Sequence, residues 1–178
     1  MWNAAIVLTL IGLFLLWIMA AFNRLIGLRN HTTTAWRQLD AELKRRHDLI
    51  PNLVLAVKSA VNPKPEPLIR VIEARNCTMT VGGVAQKAVQ EGRLSQVMQA
   101  FFAAAETYPA MQSDARIRQL LDELRAVEYR LVTVAQAYNV HATALNDAQE
   151  TSPTNVLAGT FHFSPAVLFD VSGEAPQG

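Results

Sequence analysis

The chain has 178 residues, of which 51% are hydrophobic and 17% charged, and its formal net charge is +1. Residues 23–64 hold eight Lys or Arg against three Asp or Glu, and the residues after them hold eight against twelve. This pattern favours a basic helix that docks on acidic ones over a nucleic-acid partner, because nucleic-acid-binding proteins typically present one large basic surface. The single cysteine, Cys77, excludes an intramolecular disulfide framework and is typical of a reducing compartment, and we expect it to pack as a small apolar residue on a helix.

An apolar segment opens the chain. Residues 4–22 are interrupted only by Thr9 and Gly12, and a helix of this length, rising about 1.5 Å per residue, crosses the hydrocarbon core of a bilayer. A cleaved signal peptide is the alternative, but no Lys or Arg precedes the segment and no small-residue cleavage site ends it. We therefore predict a transmembrane anchor at residues 1–22.

The positive charges nearest this anchor all follow it. Arg24, Arg29 and Arg37 lie on its C-terminal side, and no Lys or Arg lies on its N-terminal side. The positive-inside rule then predicts an outside N-terminus and a cytoplasmic C-terminal domain. We expect a single-pass membrane protein whose first partner is the lipid bilayer.

A long helix is predicted to continue the anchor into water. No Gly-Pro cluster separates the two, although Pro51 is expected to bend the helix. Its polar face carries Arg37, Asp40, Lys44 and Arg45. Asp40 with Lys44 and Glu42 with Arg46 are favourable acid-to-base pairs four residues apart. Its other face carries a coiled-coil-like seam at alternating intervals of three and four. The seam comprises Leu25, Leu28, Thr32, Trp36, Leu39, Leu43, Arg46, Ile50, Leu53 and Val57.

Three further helices complete a predicted all-α fold. Helical periodicity and breaking residues place them at about residues 66–80, 84–107 and 113–150. Together with the long helix they predict an antiparallel up-and-down bundle of four helices over residues 23–150. The alternative stacks the second and third helices into one broken column, which gives three columns. The second helix is predicted to bury Leu68, Ile69, Val71, Ile72 and Met79.

The lengths of the first and last helices predict their register. Arg46 lies 22 residues after Arg24, and Glu128 lies 22 residues before Glu150. If the helices are antiparallel, both side chains lie roughly 33 Å from the membrane-proximal end. We therefore predict a partly buried ion pair that joins Arg45 or Arg46 to Glu123 or Glu128.

The tail, residues 151–178, is polar at first and then apolar again. One interpretation is a strap that covers the open end of the bundle, because exposed apolar patches are usually covered. The other is an adhesive segment that touches the bilayer surface or a neighbouring subunit.

The sequence contains no recognisable catalytic, cofactor or metal motif. We expect no catalytic site, no cofactor and no bound metal ion. The four histidines are scattered, and neither a phosphate-binding loop nor a nucleophile elbow is present. The basic run Lys44, Arg45 and Arg46 resembles a headgroup clamp, but it lies some 30 Å from the predicted bilayer. We expect it to form contacts within the bundle or between subunits.

Several segments after the anchor resemble one protein family. They include Trp36, Leu39–Asp40, Leu43–Val54, Glu123–Leu124, Glu128, Tyr138–Asn139, Leu145–Asn146, Phe161 and Phe163. This pattern is similar to the LemA family of bacterial membrane-anchored proteins, over nearly the whole chain. The resemblance implies a helical protein of the bacterial inner membrane. Because some relatives accompany magnetosome membranes, it also implies a role in organising or remodelling membranes.

We therefore interpret the chain as a non-enzymatic scaffold that self-assembles into a homo-oligomer at the cytoplasmic face of the membrane. The alternative is an accessory or adaptor subunit for a membrane protease, secretion or stress-response partner. The residues predicted to carry interactions or structure are Trp36, Asp40, Lys44, Arg45, Arg46, Asp48, Pro51, Asn52, Glu123, Glu128, Tyr138, Asn139, Phe161 and Phe163.

Overall fold

The computed structural model describes residues 2–61, 65–151, 154–161 and 163–170. These residues contain helices and no strand, so the predicted all-α class is confirmed. The helices are α1 (Trp2–Ala60), α2 (Glu66–Thr80), α3 (Val84–Ala105), α4 (Pro109–Ser113), α5 (Ala115–Glu150) and α6 (Thr154–Thr160).

The helix boundaries follow local chemistry. Extended Pro65 precedes α2, and Gly83, whose φ of 85° is strained for other residues, precedes α3. Asp114 caps α5, because its Oδ1 accepts hydrogen bonds from the backbone amides of Arg116 (2.8 Å) and Ile117 (3.1 Å). The bounds of α2 match the prediction, whereas α3 and α5 differ from it by two residues at one end each.

The sequence analysis missed two short helices. Helix α4 has five residues, too few for a periodic pattern, and buries Met111. Helix α6 begins inside the polar first part of the tail. There the Thr154 hydroxyl donates to the carbonyl oxygens of Ala148 (2.6 Å) and Thr151 (2.8 Å), which binds the first residue of α6 to the end of α5. Ser152 and Pro153, which precede it, lie outside the described residues.

Helix α1 continues through Pro51 without interruption. The bend expected at Pro51 stays a prediction. The helix ends at Ala60, just before the proline-rich run, of which residues 62–64 lie outside the described part of the chain. Among the described helices, α1 alone is long and apolar enough to cross a membrane, and none of its most apolar 18-residue stretch is buried.

The chain forms two compact units. Unit 1 combines Met1–Ala35 with Val140–Ala166, and unit 2 combines Trp36–Asn139 with Val167–Gly178. In unit 1, Leu25 packs with Ala148 and Ala158 in a small apolar cluster. The predicted division at residues 22 and 150 stays a prediction.

Unit 2 has the larger core. Buried apolar side chains from α1, α2, α3, α4 and α5 form one cluster, which includes Leu53, Leu68, Phe101, Met111 and Leu124. The predicted seam of α1 is confirmed in both units, because eight of its ten residues are buried and Leu28 and Trp36 are partly buried.

The predicted buried face of α2 is partly wrong. Leu68 and Val71 are buried, but Ile69 and Met79 are exposed. The buried face instead continues through Ala74 and Thr78, since these follow Leu68 and Val71 at intervals of three and four. Cys77 neighbours Thr78 on the outer side of the helix and is exposed, so the expectation that it packs inside is wrong.

Candidate functional site: a buried ionic cluster and a tail clamp

The centre of unit 2 contains a fully buried arginine. Arg46 enters the core because it occupies a seam position of α1. Its Nη1 donates to Ser95 Oγ at 2.6 Å and to Glu128 Oε1 at 2.9 Å. Its Nη2 forms an ion pair with the Glu91 carboxylate and donates to the Glu91 carbonyl oxygen at 3.2 Å. One side chain of α1 thereby binds α3 and α5.

Glu91 on α3 is the second fully buried charge. Its Oε1 lies 2.8 Å from His47 Nε2, while its other carboxylate oxygen pairs with Arg46. Burial raises the pKa of the Glu91 carboxyl, but the His47 hydrogen bond and the Arg46 charge outweigh burial and hold that pKa below its usual value. Glu91 is therefore ionised at neutral pH.

The remaining members of this cluster are Ser95, Glu128 and His47. The Ser95 hydroxyl accepts from Arg46 and donates to Glu128 Oε2 at 2.9 Å. Among the described residues, none offers a hydrogen-bond partner to His47 Nδ1, which is buried. His47 Nε2 lies between Glu91 Oε1, at 2.8 Å, and the Thr78 hydroxyl, at 3.4 Å. We call Arg46, His47, Glu91, Ser95 and Glu128 the ionic cluster.

Ion pairs were predicted between α1 and α5 and within α1 itself. The prediction for Arg46 and Glu128 is confirmed, whereas Arg45 is exposed and Glu123 accepts a hydrogen bond from Gln119 instead. The predicted pair of Glu42 with Arg46 is wrong. Because the Arg46 guanidinium lies inside the core, Glu42 Oε2 faces Arg130 Nε at 3.5 Å.

A second polar contact joins α1 to α3 near the start of unit 2. Asp40 pairs with Lys44 and with Lys87, each at 2.8 Å. The hydrogen bonds from Lys44 and Lys87 hold the pKa of the Asp40 carboxyl below its usual value. Lys87 Nζ also lies 5.8 Å from the centre of the Trp36 ring, within the range of a cation–π contact.

Val167 and Phe169 of the tail are bound by an aromatic pocket in unit 2. Phe169 is fully buried, and its ring lies 6.0 Å from that of Trp36, which also contacts the Tyr138 ring at 5.4 Å. Asn139 binds the Phe169 backbone twice, since Nδ2 donates to the carbonyl oxygen and Oδ1 accepts from the amide, both at 2.8 Å. The Tyr138 hydroxyl donates to the Val167 carbonyl oxygen at 2.7 Å. We call Trp36, Tyr138 and Asn139 the tail clamp.

Unit 1 contains an equivalent pair of hydrogen bonds. Asn146 Nδ2 donates to the Ala166 carbonyl oxygen at 2.9 Å, and Asn146 Oδ1 accepts from the Ala166 amide at 2.8 Å. In the same unit, the hydroxyl of the polar seam residue Thr32 donates to the carbonyl oxygen of His141 at 3.1 Å. Each polar residue in the seam of α1 therefore has a partner on another helix.

Comparison with protein families places these residues in a known group. The model of the LemA family matches residues 35–177. The chain belongs to the LemA family. The search of curated proteins found no match. The family region begins immediately before Trp36, so both the ionic cluster and the tail clamp of this LemA-family protein lie inside it.

The other predicted residues of the LemA-family protein lie apart from the ionic cluster. Lys44 and Arg45 are exposed while Arg46 is buried, so the basic run does not form one surface. Asp48 and Asn52 are also exposed, and Asn52 Nδ2 donates to the Asp48 carbonyl oxygen at 3.3 Å. The three remaining predicted residues are Pro51, which is partly buried within α1, and Phe161 and Phe163, which contact Phe22 in unit 1.

Five residues with contacts described above were not predicted to carry interactions or structure: Glu91, Ser95, His47, Lys87 and Phe169. A signal for the first two was present, because Ala88, Glu91, Ser95 and Met98 follow one another at intervals of three and four along the buried face of α3. A polar residue at such a position needs a partner on a facing helix. No comparable local pattern marks the other three residues.

The chemistry of the ionic cluster fits a structural role. Both carboxylates accept hydrogen bonds from cationic side chains, and the Ser95 hydroxyl uses both its donor and an acceptor position within the cluster. Within the described ranges, no group of three or more His, Cys, Asp or Glu is arranged to hold a metal ion. The contacts of Arg46 with Glu91 and Glu128 fix the register of α1 against α3 and α5.

Proposed function

We propose that this LemA-family protein is a membrane-anchored structural scaffold that self-assembles at the cytoplasmic face of the membrane and catalyses no reaction. One observation carries this proposal. The single helix α1 contains both an exposed apolar stretch and the buried seam that organises the core of unit 2. A helix of this kind couples the position of a folded bundle to a bilayer.

The dimensions and charges of α1 support the membrane part of the proposal. Phe22 and the exposed Trp2 are 20 positions apart in α1, a rise of about 30 Å that matches the hydrocarbon core. Arg24 and Arg29 are exposed just beyond Phe22, and positive charges on this side favour a cytoplasmic bundle.

An up-and-down order of the four long helices in unit 2 is part of the proposal. Contacts of Trp36 with Tyr138 and of Arg46 with Glu128 support antiparallel packing of α1 and α5. Helix α2 follows α1 after a five-residue link, and Thr78 near its end lies beside His47, which supports a reversal of direction. Contacts of α3 at Lys87 with Asp40 and at Ser95 with Arg46 support a parallel course with α1.

Exposed apolar side chains on α5 support self-assembly. Tyr129 and Val132 are 78% and 45% exposed and lie one turn apart in unit 2. Aromatic residues are enriched at the centres of protein interfaces. We propose that this pair lies within a contact between copies of the chain.

Light scattering coupled to size-exclusion chromatography tests the scaffold against the adaptor alternative. The purified, detergent-solubilised full chain is expected to elute as one species with the protein mass of a multimer. A monomer that co-purifies with a second membrane protein would refute the scaffold and favour the adaptor. The detergent contribution is removed by recording refractive index and absorbance together.

A further inference from the structure

The part of unit 1 next to the apolar segment carries a small aromatic cluster. The ring of Phe161 lies 4.9 Å from that of Phe22, and the ring of Phe163 lies 6.5 Å from it. The Arg29 guanidinium lies 5.7 Å from the centre of the Phe163 ring. Backbone hydrogen bonds from Phe161 to Leu157 and from Phe163 to Ala158, both 3.0 Å, attach these rings to the end of α6.

This cluster lies at the edge of the apolar segment. Phe22 is the last residue of that segment, and Arg24 follows two residues later. The buried side of α6 packs one turn farther along α1, where Ala158 contacts the Leu25 cluster. Since three residues of helix rise about 4.5 Å, α6 docks within one turn of the point where hydrocarbon gives way to headgroups.

The exposed residues of α6 are uncharged, and they comprise the large apolar residue Val156 with Asn155, Gly159 and Thr160. Val156 is 67% exposed and Phe161 is 55% exposed, although Phe161 already contacts Phe22 on one side. No residue of α6 carries a charge. Together with Phe22, Val156 and Phe161 form an apolar surface beside the exposed apolar segment of α1. Such a surface is unfavourable in water and suits the boundary between headgroups and acyl chains.

We propose that α6 and Phe161 form a second membrane contact of the protein, which lies in the headgroup region beside the helix that crosses the bilayer. The partner is the lipid surface itself. The inference rests on the proposed membrane anchor and extends it, because one spanning helix alone leaves the protein free to tilt relative to the bilayer. A second contact at the same leaflet restricts that tilt.

Spin-label accessibility of the full chain in lipid vesicles tests this proposal. A nitroxide is attached at Val156→Cys in a Cys77→Ser background, and its collision rates with lipid-soluble oxygen and with a water-soluble nickel chelate are compared. The matched control carries the label at Met79→Cys, on α2 of unit 2. Both native side chains are exposed, so neither label disturbs the core, and circular dichroism verifies folding.

The expected oxygen-to-nickel collision ratio is at least about threefold higher at position 156 than at position 79, because an interfacial label meets oxygen dissolved in lipid. Equal ratios at the two positions would overturn the proposal. Low collision rates with both reagents at position 156 would also overturn it, because a protein neighbour excludes both. Either result in a protein that remains membrane-inserted and multimeric would leave the scaffold proposal intact.

Discussion

Arg46 Nη1 lies 2.9 Å from Glu128 Oε1, and this contact joins positions 82 residues apart in the chain. Both groups belong to a cluster in which Arg46 and Glu91 are completely buried. A buried ion pair adds little net stability compared with an apolar replacement, but the loss of one partner leaves an uncompensated charge. The ionic cluster therefore selects one register of α1 against α3 and α5.

Replacing Arg46 is expected to be strongly destabilising. Arg46→Met leaves the carboxylates of Glu91 and Glu128 without their cation, and we expect a loss of about 3–5 kcal/mol in the free energy of unfolding. Urea titration followed by circular dichroism in detergent measures it. The control Arg45→Met changes the exposed neighbour and should cost less than about 0.5 kcal/mol. Equal midpoints for the two variants would contradict the role given to the cluster.

The stability of the protein is expected to fall in acid because of Glu91. Its folded-state pKa lies below the ordinary value of 4.5, so the unfolded chain takes up a proton first as the pH falls. The contribution of Glu91 is therefore complete above pH 4.5 and is lost as the pH falls through the folded-state pKa.

Urea midpoints measured between neutral pH and acid check this dependence. Glu91→Gln should flatten the decline in acid, whereas Glu73→Gln, at an exposed position of α2, should leave it unchanged. An acid decline of the same steepness in Glu91→Gln and the unmodified protein would rule out Glu91 as its source.

The tail clamp is expected to depend on Asn139. Asn139→Ala removes both hydrogen bonds to the Phe169 backbone, a loss of about 1–3 kcal/mol. Hydrogen exchange should then show the Phe169 amide exchanging about tenfold faster or more. Gln136→Ala, at an exposed position of the same helix, serves as the control. Unchanged protection of Phe169 in Asn139→Ala would show that the aromatic pocket alone holds the tail.

Self-assembly is expected to depend on the exposed pair on α5. Tyr129→Glu introduces a charge beside Val132 and should reduce the mass measured by light scattering, because a charge is costly to bury in an apolar contact. Met79→Glu makes the same charge change at an exposed position of α2 and should leave the mass unaltered. If both variants keep the mass of the unmodified protein, the contact lies elsewhere.

The α1 seam could be predicted because a heptad-like spacing reports burial directly, even at polar positions such as Thr32 and Arg46. The partners of Arg46 were harder to infer. Glu128 followed from counting residues along two long helices. The spacing along α3 places Glu91 on the buried face of that helix, but it does not say which helix this face packs against.

The tail illustrates the same limit of local patterns. Phe161 and Phe169 both follow α5 in an apolar stretch, yet Phe161 is 55% exposed and Phe169 is fully buried. The difference arises because Trp36 and Tyr138 form a pocket that only the folded chain assembles. Helix α6 was not predicted for a related reason. The hydroxyl of its first residue, Thr154, donates to the carbonyl oxygen of Ala148 near the end of α5.

The most direct test of the membrane arrangement uses the single cysteine. Cys77 is exposed on α2, and a membrane-impermeant maleimide reports which side of the membrane it occupies in bacterial spheroplasts. A Cys77→Ser variant carrying Asn3→Cys supplies the matched control for the opposite side. We expect Cys77 to be labelled only after the membrane is permeabilised and position 3 to be labelled in intact spheroplasts. Labelling of Cys77 in intact spheroplasts would contradict a cytoplasmic scaffold.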